Sequence, residues 1–336
     1  MKKLAVLLPT YNAAPYIRES IDSVLNQSFG NFDLYIYDDF STDNTEEIIS
    51  QYKDQRIFYR KNIANLGIAK SLNKGLDELL PHYEFIARMD ADDWSYPNRF
   101  EKQLEFLDKN KEIILCGTQG YWLQDMRQNP VSGWEYPTNH EYINCCLLFT
   151  ASFGHSSVIF RSDNFQKNNL RYNETINTCE DWDLWTRVVK TGQVANLPDF
   201  FMKYRILENS NHRSPLNLKK HFEERSTIIS GFWTYSHITL SSEQVYEYYY
   251  QISQLSKSDF ITKIKLLVDV FNSFYVYNAN SLVTADRKKL SYLLSRRILD
   301  YWKRSKVSRI DPQIWLFLIK AVKFENKFKL LKSIIK

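Results

Sequence analysis

Short apolar runs alternate with helical patterns over residues 4–93, and this alternation limits the fold more than any other feature. The runs are "LAVLL" at 4–8, "FDLYIYDD" at 32–39, "RIFYRK" at 56–61 and "YEFIARMDADD" at 83–93. Between the first two, helical spacing relates Ile17, Ile21, Val24 and Leu25. Such alternation predicts a parallel sheet with helical crossovers. Ligands bind these sheets beyond the carboxyl ends of the strands.

Polar residues follow three of the predicted strands. They are Pro9–Asn12 after the first, Asp38 and Asp39 after the second, and Asp90, Asp92 and Asp93 after the fourth. Because parallel strands end at one edge of a sheet, we expect these residues to converge. Three carboxylates in four positions repel one another, so either solvent or a cation must offset the repulsion. Two strand residues at i and i+2 share a face, and Asp90 and Asp92 at that spacing suit Mg²⁺ or Mn²⁺ completed by a diphosphate.

A second acidic pair, Glu180 and Asp181, lies in "CEDWDLW" between aromatic residues. Desolvation by tryptophan raises the pKa of a carboxylate toward that of a useful general base. The alternative interpretation is that these acids only favour the amino end of a helix. We expect that helix to bury Leu184, Trp185 and Val188 on one face.

The pattern becomes mixed after about residue 110, with "IILCGTQGYWL" and "SSVIF" typical of strands. Beyond about residue 214 the sequence is helical and aromatic. We therefore predict a catalytic domain over 1–213 and a helical, basic region over 214–336, with the boundary near 210–220.

Charge is distributed unevenly along the chain. Residues 286–336 contain 15 Lys and Arg against 4 Asp and Glu, whereas the whole chain has a net charge of only +5. The closing stretch "RIDPQIWLFLIKAVKFENKFKLLKSIIK" reads as a basic amphipathic helix, which favours an anionic membrane surface. Packing of this helix on the domain is the alternative. Nucleic acid is not expected, since no zinc or glycine–aromatic pattern accompanies the charge.

Localisation follows from cysteine spacing and hydropathy. The four cysteines show no C-x-x-C spacing, which favours a reduced compartment. "LAVLL" is too short for a signal peptide or a membrane span. We expect a cytoplasmic protein that lies peripherally on the inner membrane.

Six stretches in order over residues 3–210 carry a family resemblance: "LLPTYNAAPYIRESIDSVLNQSF", "YDDFSTDNT", "NLGIAKSLNKGL", "RMDADDWSYPNRFEKQLEFL", "HSSVIFR" and "EDWDLWTRVVKTG". The chain resembles family-2 glycosyltransferases of the GT-A fold. The resemblance implies an α/β fold with a mostly parallel central sheet flanked by helices, followed by a C-terminal helical region. It also implies metal-dependent, inverting transfer of a hexose or N-acetylhexosamine from a UDP-sugar to a saccharide acceptor. That acceptor would be lipid-linked, in the synthesis of O-antigen, capsule or lipooligosaccharide.

The resemblance also implies roles for individual residues. Asp181 maps to the catalytic base, and Mn²⁺ or Mg²⁺ would be held by Asp92, Asp90 and His155. Asp43 maps to the acid of "STD" or caps the next helix. Nucleotide-sugar binding, on a donor side over about 1–95, would involve Pro9, Thr10, Tyr11, Asn12, Asp39, Asn65, Gly67, Arg88, Asp90, Ala91 and Asp93.

The acceptor side, over about 96–213, is less defined. Trp94, Trp182 and Trp185 form either an acceptor platform or part of the core. The sequence departs from the family at two positions. Phe40 stands where the family often has Gly, and Leu72 where it often has Arg, for which Lys70 or Arg88 would substitute.

Other functions are less consistent with these motifs. A sugar-phosphate nucleotidyltransferase shares this kind of sheet, but its first strand is followed by a glycine-rich signature that is absent here. A non-catalytic nucleotide-sugar binding protein would not need both Asp92 and Asp181. A dehydrogenase is disfavoured because no G-x-G-x-x-G follows the first strand.

Overall fold

The computed structural model describes residues 2–124, 130, 132–207 and 215–235, together with 241–243, 245, 258, 260–262 and 264–265. The predicted basic amphipathic helix lies outside these residues. Within them, no helix is both long and apolar enough to cross a membrane. The chain divides into two compact units, one formed by 1–143 with 151–217 and the other by 144–150 with 218–336. The assignment of catalysis to 1–213 stays a prediction.

A parallel half-sheet forms the amino-terminal part of the first unit, as the alternating pattern predicts. Its strands run in the order β3-β2-β1-β4, all parallel. Ile17, Ile21 and Val24 are fully buried on the inner face of α1, which confirms the predicted helical face. The elements are β1 (Lys2–Thr10), α1 (Ile17–Leu25), β2 (Phe32–Asp38), α2 (Thr45–Ser50), β3 (Ile57–Lys61), α3 (Ile68–Leu79) and β4 (Tyr83–Arg88).

A mixed half-sheet continues from β4 in the order β8-β6-β9-β5, with β7 paired to β6. β8 runs antiparallel to β4 and β6, whereas β6 and β9 are parallel. This confirms the predicted change of pattern after residue 110. The elements are β5 (Trp94–Ser95), α4 (Arg99–Lys109), β6 (Ile113–Leu123), β7 (Gly133–Trp134), α5 (His140–Leu147), a 3₁₀ helix (His155–Ser157), β8 (Ile159–Arg161), α6 (Ser162–Lys167), α7 (Glu180–Val188), β9 (Gln193–Arg205) and α8 (Pro215–Tyr235).

The acidic segment after β4 is a turn, not the end of a strand. β4 ends at Arg88, the Met89 amide makes a last bond to the Leu7 carbonyl at 3.2 Å, and Ala91 and Asp92 form the turn. The prediction that Asp90 and Asp92 share a strand face is therefore wrong. Turn geometry, not the two-residue strand repeat, places their carboxylates.

Candidate active site at the carboxyl edge of the sheet

The loops after β1, β2 and β4 meet at one edge of the parallel half-sheet. Thr10 pairs in register with Asp38, and Leu7 pairs with Arg88. The Asp39 amide donates to the Thr10 carbonyl at 2.8 Å, which holds the first two loops together. The residues that the sequence places at strand ends therefore converge, as expected.

The loops after β1 and β2 are tied to each other by hydrogen bonds. The Asn12 amide donates to Ser41 Oγ at 2.9 Å, and Asn12 Oδ1 accepts from the Thr42 amide at 2.8 Å. Tyr11, predicted to face the nucleotide, has 50% of its surface exposed beside them. Pro9 and Thr10 are buried at the base of the loop.

Phe40 has a left-handed backbone, with φ of +67°. This explains why glycine is common at the corresponding position of the family, since glycine adopts such angles without a Cβ clash. The Phe40 ring is 43% exposed, and Lys61 Nζ lies 6.0 Å from its centroid. Phe40 therefore adopts a backbone angle that glycine adopts readily, and it adds an aromatic side chain at the rim of the site.

Asp39 orders the loop that carries Asn65 and Gly67. Its carboxylate accepts from the Leu66 and Gly67 amides, each at 2.8 Å, and from Asn62 Nδ2 at 2.9 Å. Lys74 Nζ donates to the other end of the Asn62 amide at 2.5 Å. The side chain of Asn65 is exposed, whereas buried Asn62 supports Asp39 and donates to Ser71 Oγ at 2.8 Å. Sequence reasoning missed Asn62, although it follows β3 as the other polar residues follow their strands.

Asp43 links the first loop to α2. Its Oδ2 accepts from the Ala14 amide at 3.1 Å, and its Oδ1 accepts from the Thr45 amide at 3.0 Å and the Thr45 hydroxyl at 2.6 Å. These contacts favour the capping interpretation of Asp43.

We predict that Gly67→Ala destabilises the fold and disturbs the Asp39 loop. Gly67 has φ of +87° and ψ of 159°, a region that is essentially restricted to glycine. An added Cβ would meet nothing within 4 Å, so the backbone is the source of the cost. The expected loss is about 1–3 kcal/mol of unfolding free energy, measured by urea denaturation.

Gly30→Ala is the matched control for that substitution. Its added Cβ also meets nothing within 4 Å, and its φ is not in the left-handed region. Equal stability of the two variants would contradict the backbone explanation.

The three carboxylates of the turn have different partners. Asp90 Oδ1 accepts from Arg88 Nη2 at 2.5 Å, and Asp90 Oδ2 contacts the Ser156 hydroxyl at 2.5 Å. That hydroxyl also contacts Asp93 Oδ2. The Ser156 hydroxyl has one proton and can donate it to only one of the two carboxylates. When it donates to Asp90, Asp93 must itself be protonated and donate to the Ser156 oxygen. Asp93 is 1% exposed, so the structure places it inside the turn and away from its outer rim.

Burial and charge separate the pKa values of these acids. Burial is the largest single effect on Asp90 and opposes its ionisation, but Arg88, His155 and Ser156 together outweigh it and lower the pKa of Asp90 to about 2. Burial and then Asp90 raise the pKa of Asp92 to about 6. Burial, followed by Asp92 and Asp90, raises the pKa of Asp93 well above its usual range. Asp90 is therefore the ionised acid of the turn, whereas ionisation of Asp92 and Asp93 is disfavoured without an added positive charge.

The donor set of the turn fits a divalent cation. Asp90 and Asp92 supply hard carboxylate oxygens, and a cation would offset both the burial and the repulsion from Asp90 that raise the pKa of Asp92. The described residues contain no group of three His, Cys, Asp or Glu side chains arranged for a metal. Two carboxylates would form only part of a coordination shell, and such a partial shell suits an ion that is completed by substrate phosphates.

His155 does not complete a three-residue metal site in the described structure. Its Nε2 lies 2.8 Å from the Tyr172 hydroxyl and accepts from Arg88 Nε at 3.2 Å. Burial and then Arg88 lower the pKa of His155 to about 3, so the ring is neutral. The predicted ligand set of Asp90, Asp92 and His155 is thus not assembled here.

Arg88 is fully buried behind the turn. Its guanidinium donates to Asp90, to the Leu7 and Met89 carbonyls and to His155. It is therefore not free to replace the arginine that the family often has at position 72. Lys70 is exposed in the first turn of α3 and Leu72 is fully buried there.

The second acidic pair opens α7. Burial raises the pKa of Asp181 to about 6, while burial and then Asp181 raise the pKa of Glu180 to about 8. Asp181 is therefore mainly ionised at neutral pH, whereas Glu180 keeps its proton. Asp181 Oδ1 accepts from the Trp182 amide at 2.6 Å. His155 Nδ1 lies 3.9 Å from Glu180 Oε1, which connects this pair to the Arg88 side of the site.

Two of the three tryptophans proposed as an acceptor platform are core residues. Trp182 is 3% exposed and Trp185 is fully buried, with its ring 5.6 Å from Phe153 and 6.1 Å from His155. The platform prediction is wrong for these two residues, because their packing leaves no ring face for a ligand. Leu184, Trp185 and Val188 are buried together, as predicted. Trp94 is half-buried, with Lys203 Nζ 4.8 Å from the ring centroid.

Polar residues of α1 and of the segment just after it bind the acidic turn and the residues that follow the turn, and sequence reasoning missed them. Ser20 Oγ donates to the Asp90 carbonyl at 2.8 Å, Ser23 Oγ accepts from the Ser95 amide at 3.1 Å, and Gln27 Nε2 donates to the Tyr96 carbonyl at 2.8 Å. Part of the signal was present in the sequence, since Ser20 and Ser23 are spaced i and i+3 and so share a helix face.

Comparison with known proteins agrees with this geometry. The model of "Glycosyl transferase family 2" matches residues 5–168. An uncharacterized glycosyltransferase of Methanocaldococcus jannaschii is 30% identical over 224 residues, which cover 65% of this chain and 75% of that protein. The chain belongs to glycosyltransferase family 2. An uncharacterized glycosyltransferase of Haemophilus influenzae is 29% identical over 294 residues, covering 83% of this chain and 89% of that protein.

Solved structures show the same fold as this family-2 glycosyltransferase. S. aureus TarS 1–349 in complex with UDP superposes with a TM-score of 0.57 at 19% identity, covering 89% of each chain. A mannosyltransferase from Pyrobaculum calidifontis in complex with GDP-Man and Mn²⁺ has a TM-score of 0.52 at 13% identity, covering 95% of this chain and 86% of that one. The predicted family and GT-A fold are confirmed.

Proposed function

We propose that this glycosyltransferase transfers a hexose or N-acetylhexosamine from a UDP-sugar to a saccharide acceptor, with inversion and with the aid of Mn²⁺ or Mg²⁺. One observation carries the proposal. The acidic turn after β4 and the acid pair of α7 lie on opposite sides of one buried network, in which Arg88 contacts Asp90 and His155, and His155 lies 3.9 Å from Glu180. A diphosphate site and a general base are thus joined in one framework.

The donor would lie over the loops after β1, β2 and β3. Exposed Tyr11 suits stacking on the base, and the Thr10–Asn12 loop and the Asp39-ordered loop with Gly67 would flank the nucleoside. Asp92 and Asp90 would hold the cation. When bound, that cation neutralises charge developing on the departing diphosphate. The family resemblance is the basis for the proposed donor contacts of Asn65, Arg88, Ala91 and Asp93. Arg88 and Asp93 are buried, so we propose that they act by supporting the turn.

Asp181 would act as the general base. Its carboxylate takes the proton of the acceptor hydroxyl while that oxygen bonds to the anomeric carbon and the bond from this carbon to the diphosphate oxygen breaks. The attack comes from the face opposite the leaving group, so the anomeric carbon inverts. Glu180, which keeps its proton near neutral pH, does not compete for the acceptor proton. No covalent enzyme intermediate is required.

The acceptor side is supported mainly by the sequence. Half-buried Trp94, directly after the acidic turn, remains a candidate surface for the acceptor sugar. The basic stretch over 286–336 supports a lipid-linked acceptor at an anionic membrane surface and a role in surface polysaccharide synthesis.

A thermal-shift screen tests the donor and metal assignments together. A ligand at 100 times its Kd stabilises the folded state by about 2.7 kcal/mol, so the correct UDP-sugar with Mn²⁺ should raise Tm beyond the sum of separate additions. GDP-mannose serves as the control for base recognition. Absence of any shift with UDP-sugars and Mn²⁺ would contradict the proposal. A shift with GDP-mannose alone would mean that the donor is a GDP-sugar and not a UDP-sugar.

A further inference from the structure

Arg205, the last residue of β9, contacts Asp92 and Asp93 of the acidic turn, whereas Arg88 contacts Asp90. The Arg205 amide donates to Asp93 Oδ1 at 3.0 Å, and its Nε donates to the Asp92 carbonyl at 2.9 Å. Its Nη2 donates to Glu19 Oε2 on α1 at 2.5 Å. One residue therefore connects three separate parts of the first unit, and its partners are as many as 186 residues away in the sequence.

The guanidinium is held firmly. Arg205 is 8% exposed, and its Cζ lies 4.8 Å from the centroid of the Tyr16 ring. Guanidinium donors have fixed relative directions, so bonds to Asp92 and Glu19 define the distance between the turn and α1. Lysine has a single charged nitrogen and cannot hold both contacts with the same geometry.

The contact with Asp92 is through its backbone, which leaves the carboxylate free to bind a cation. The Asp93 carboxylate is fixed by the Arg205 amide on one oxygen and by the Ser156 hydroxyl on the other. The position of the Asp92 carboxylate therefore depends on a turn that Arg205 holds through the Asp92 carbonyl and the Asp93 side chain.

We infer that Arg205 is a positioning residue that fixes the Asp92–Asp93 turn so that the Asp92 carboxylate meets a divalent cation bound to a nucleoside diphosphate. Because this role presupposes the proposed function, its test must separate the two. Residues that orient metal ligands from outside the coordination shell typically change metal affinity by about 10–100-fold. The same range is expected for Arg205.

The test measures Mn²⁺ affinity of the full chain at saturating UDP, from the loss of the free-ion signal in electron paramagnetic resonance. Arg205→Met should weaken Mn²⁺ binding by about tenfold or more. Arg205→Lys should bind Mn²⁺ more tightly than Arg205→Met but less tightly than the wild type, since lysine keeps the positive charge and one donor nitrogen. Glu19→Gln, which removes only the ionic anchor of Arg205, should give a smaller loss than Arg205→Met.

Arg161→Met is the matched control. Arg161 also lies over an aromatic ring, with its Cζ 5.0 Å from the Phe85 centroid, and it donates to the Ile113 and Leu107 carbonyls at 2.9 and 2.6 Å. Its loss should lower Tm without changing Mn²⁺ affinity. This separates general destabilisation from positioning of the turn.

The outcomes distinguish the inference from the proposed function. Failure of the wild-type chain to bind Mn²⁺ with UDP would refute both. Normal Mn²⁺ affinity in Arg205→Met, with the wild-type chain binding, would refute the positioning role alone. If Arg205→Met does not fold, wild-type affinity in both Arg205→Lys and Glu19→Gln would refute it equally.

Discussion

Replacement of Asp181 by asparagine is expected to reduce sugar transfer by about 10²–10⁴-fold, the range in which general acid–base catalysis contributes. The amide is nearly isosteric with the carboxylate but cannot take the acceptor proton. UDP-sugar binding should persist, because Asp181 lies on α7 and not on the loops that would hold the nucleotide. Transfer is measured as product formed per enzyme at saturating donor and Mn²⁺, and donor binding by thermal shift.

The pH profile tests the same role independently. Burial raises the pKa of Asp181 to about 6, and a general base acts only when deprotonated. The wild-type kcat/KM for the acceptor should therefore fall as pH decreases through about 6, and this acidic limb should be absent from the residual activity of Asp181→Asn. Saturating Mn²⁺ and donor keep Asp92 ionised, so that the limb reports Asp181.

Asp183→Asn is the control on the same helix turn. Asp183 accepts from Arg187 Nη2 at 2.6 Å in an i,i+4 ion pair, whose loss costs about 0.3–0.5 kcal/mol of stability. Its transfer rate should match that of the wild type. Unchanged transfer in Asp181→Asn would remove Asp181 from the mechanism.

Replacement of Asp92 by asparagine should abolish most Mn²⁺-dependent donor binding. Loss of an outer partner of a metal ligand costs up to about 100-fold in affinity, so loss of a ligand itself should cost at least that much. The measurement is the Kd for UDP with and without Mn²⁺ by calorimetry. Equal enhancement of UDP binding by Mn²⁺ in the variant and the wild type would contradict the metal assignment.

The same substitution should leave the ligand-free protein at least as stable as the wild type. The pKa of Asp92 is raised in the folded state from 3.8 to about 6, so folding binds a proton more tightly at this site. The wild type therefore loses stability at this group as pH rises from about 4 through about 6. Asparagine has no such cost above pH 6, and the Tm of the variant without ligand should not fall there.

Asp54→Asn is the control for loss of an acid elsewhere on the sheet. Asp54 precedes β3 at the opposite edge and pairs with Arg56 Nη2 at 2.7 Å. Its replacement should leave Mn²⁺-dependent UDP binding intact. A loss of binding equal to that of Asp92→Asn would mean that the effect is not local.

Local patterns were enough to predict the parallel half-sheet and the convergence of its loops. Ile17, Ile21 and Val24 show a helical repeat that depends only on neighbours within one helix, and "LAVLL" has the length of a buried strand. The same patterns did not predict that β4 ends at Arg88. The chain leaves the strand where the buried Arg88 binds Leu7, Asp90 and His155. These partners cannot be identified from the apolar run alone.

The supports of the site were the least predictable part. Ser20 and Ser23 look like ordinary polar positions of an amphipathic helix and Gln27 like part of the loop after it. All three are buried, and they bind Asp90, Ser95 and Tyr96 respectively. Arg205 belongs to no motif that the sequence displays. Their roles appear only where the chain brings distant backbone amides and carbonyls within hydrogen-bond distance.

The sequence by itself determined which acids are present, the strand ends that carry them, and the family to which the chain belongs. These properties follow from residue order and from the periodicity of helices and strands. Only the tertiary structure decided how the acids differ. Arg88 helps to keep Asp90 ionised, burial and Asp90 raise the pKa of Asp92, and burial raises the pKa values of Glu180 and Asp181. Ionisation depends on burial and on charges that are close in space, and neither can be read from the order of residues along the chain.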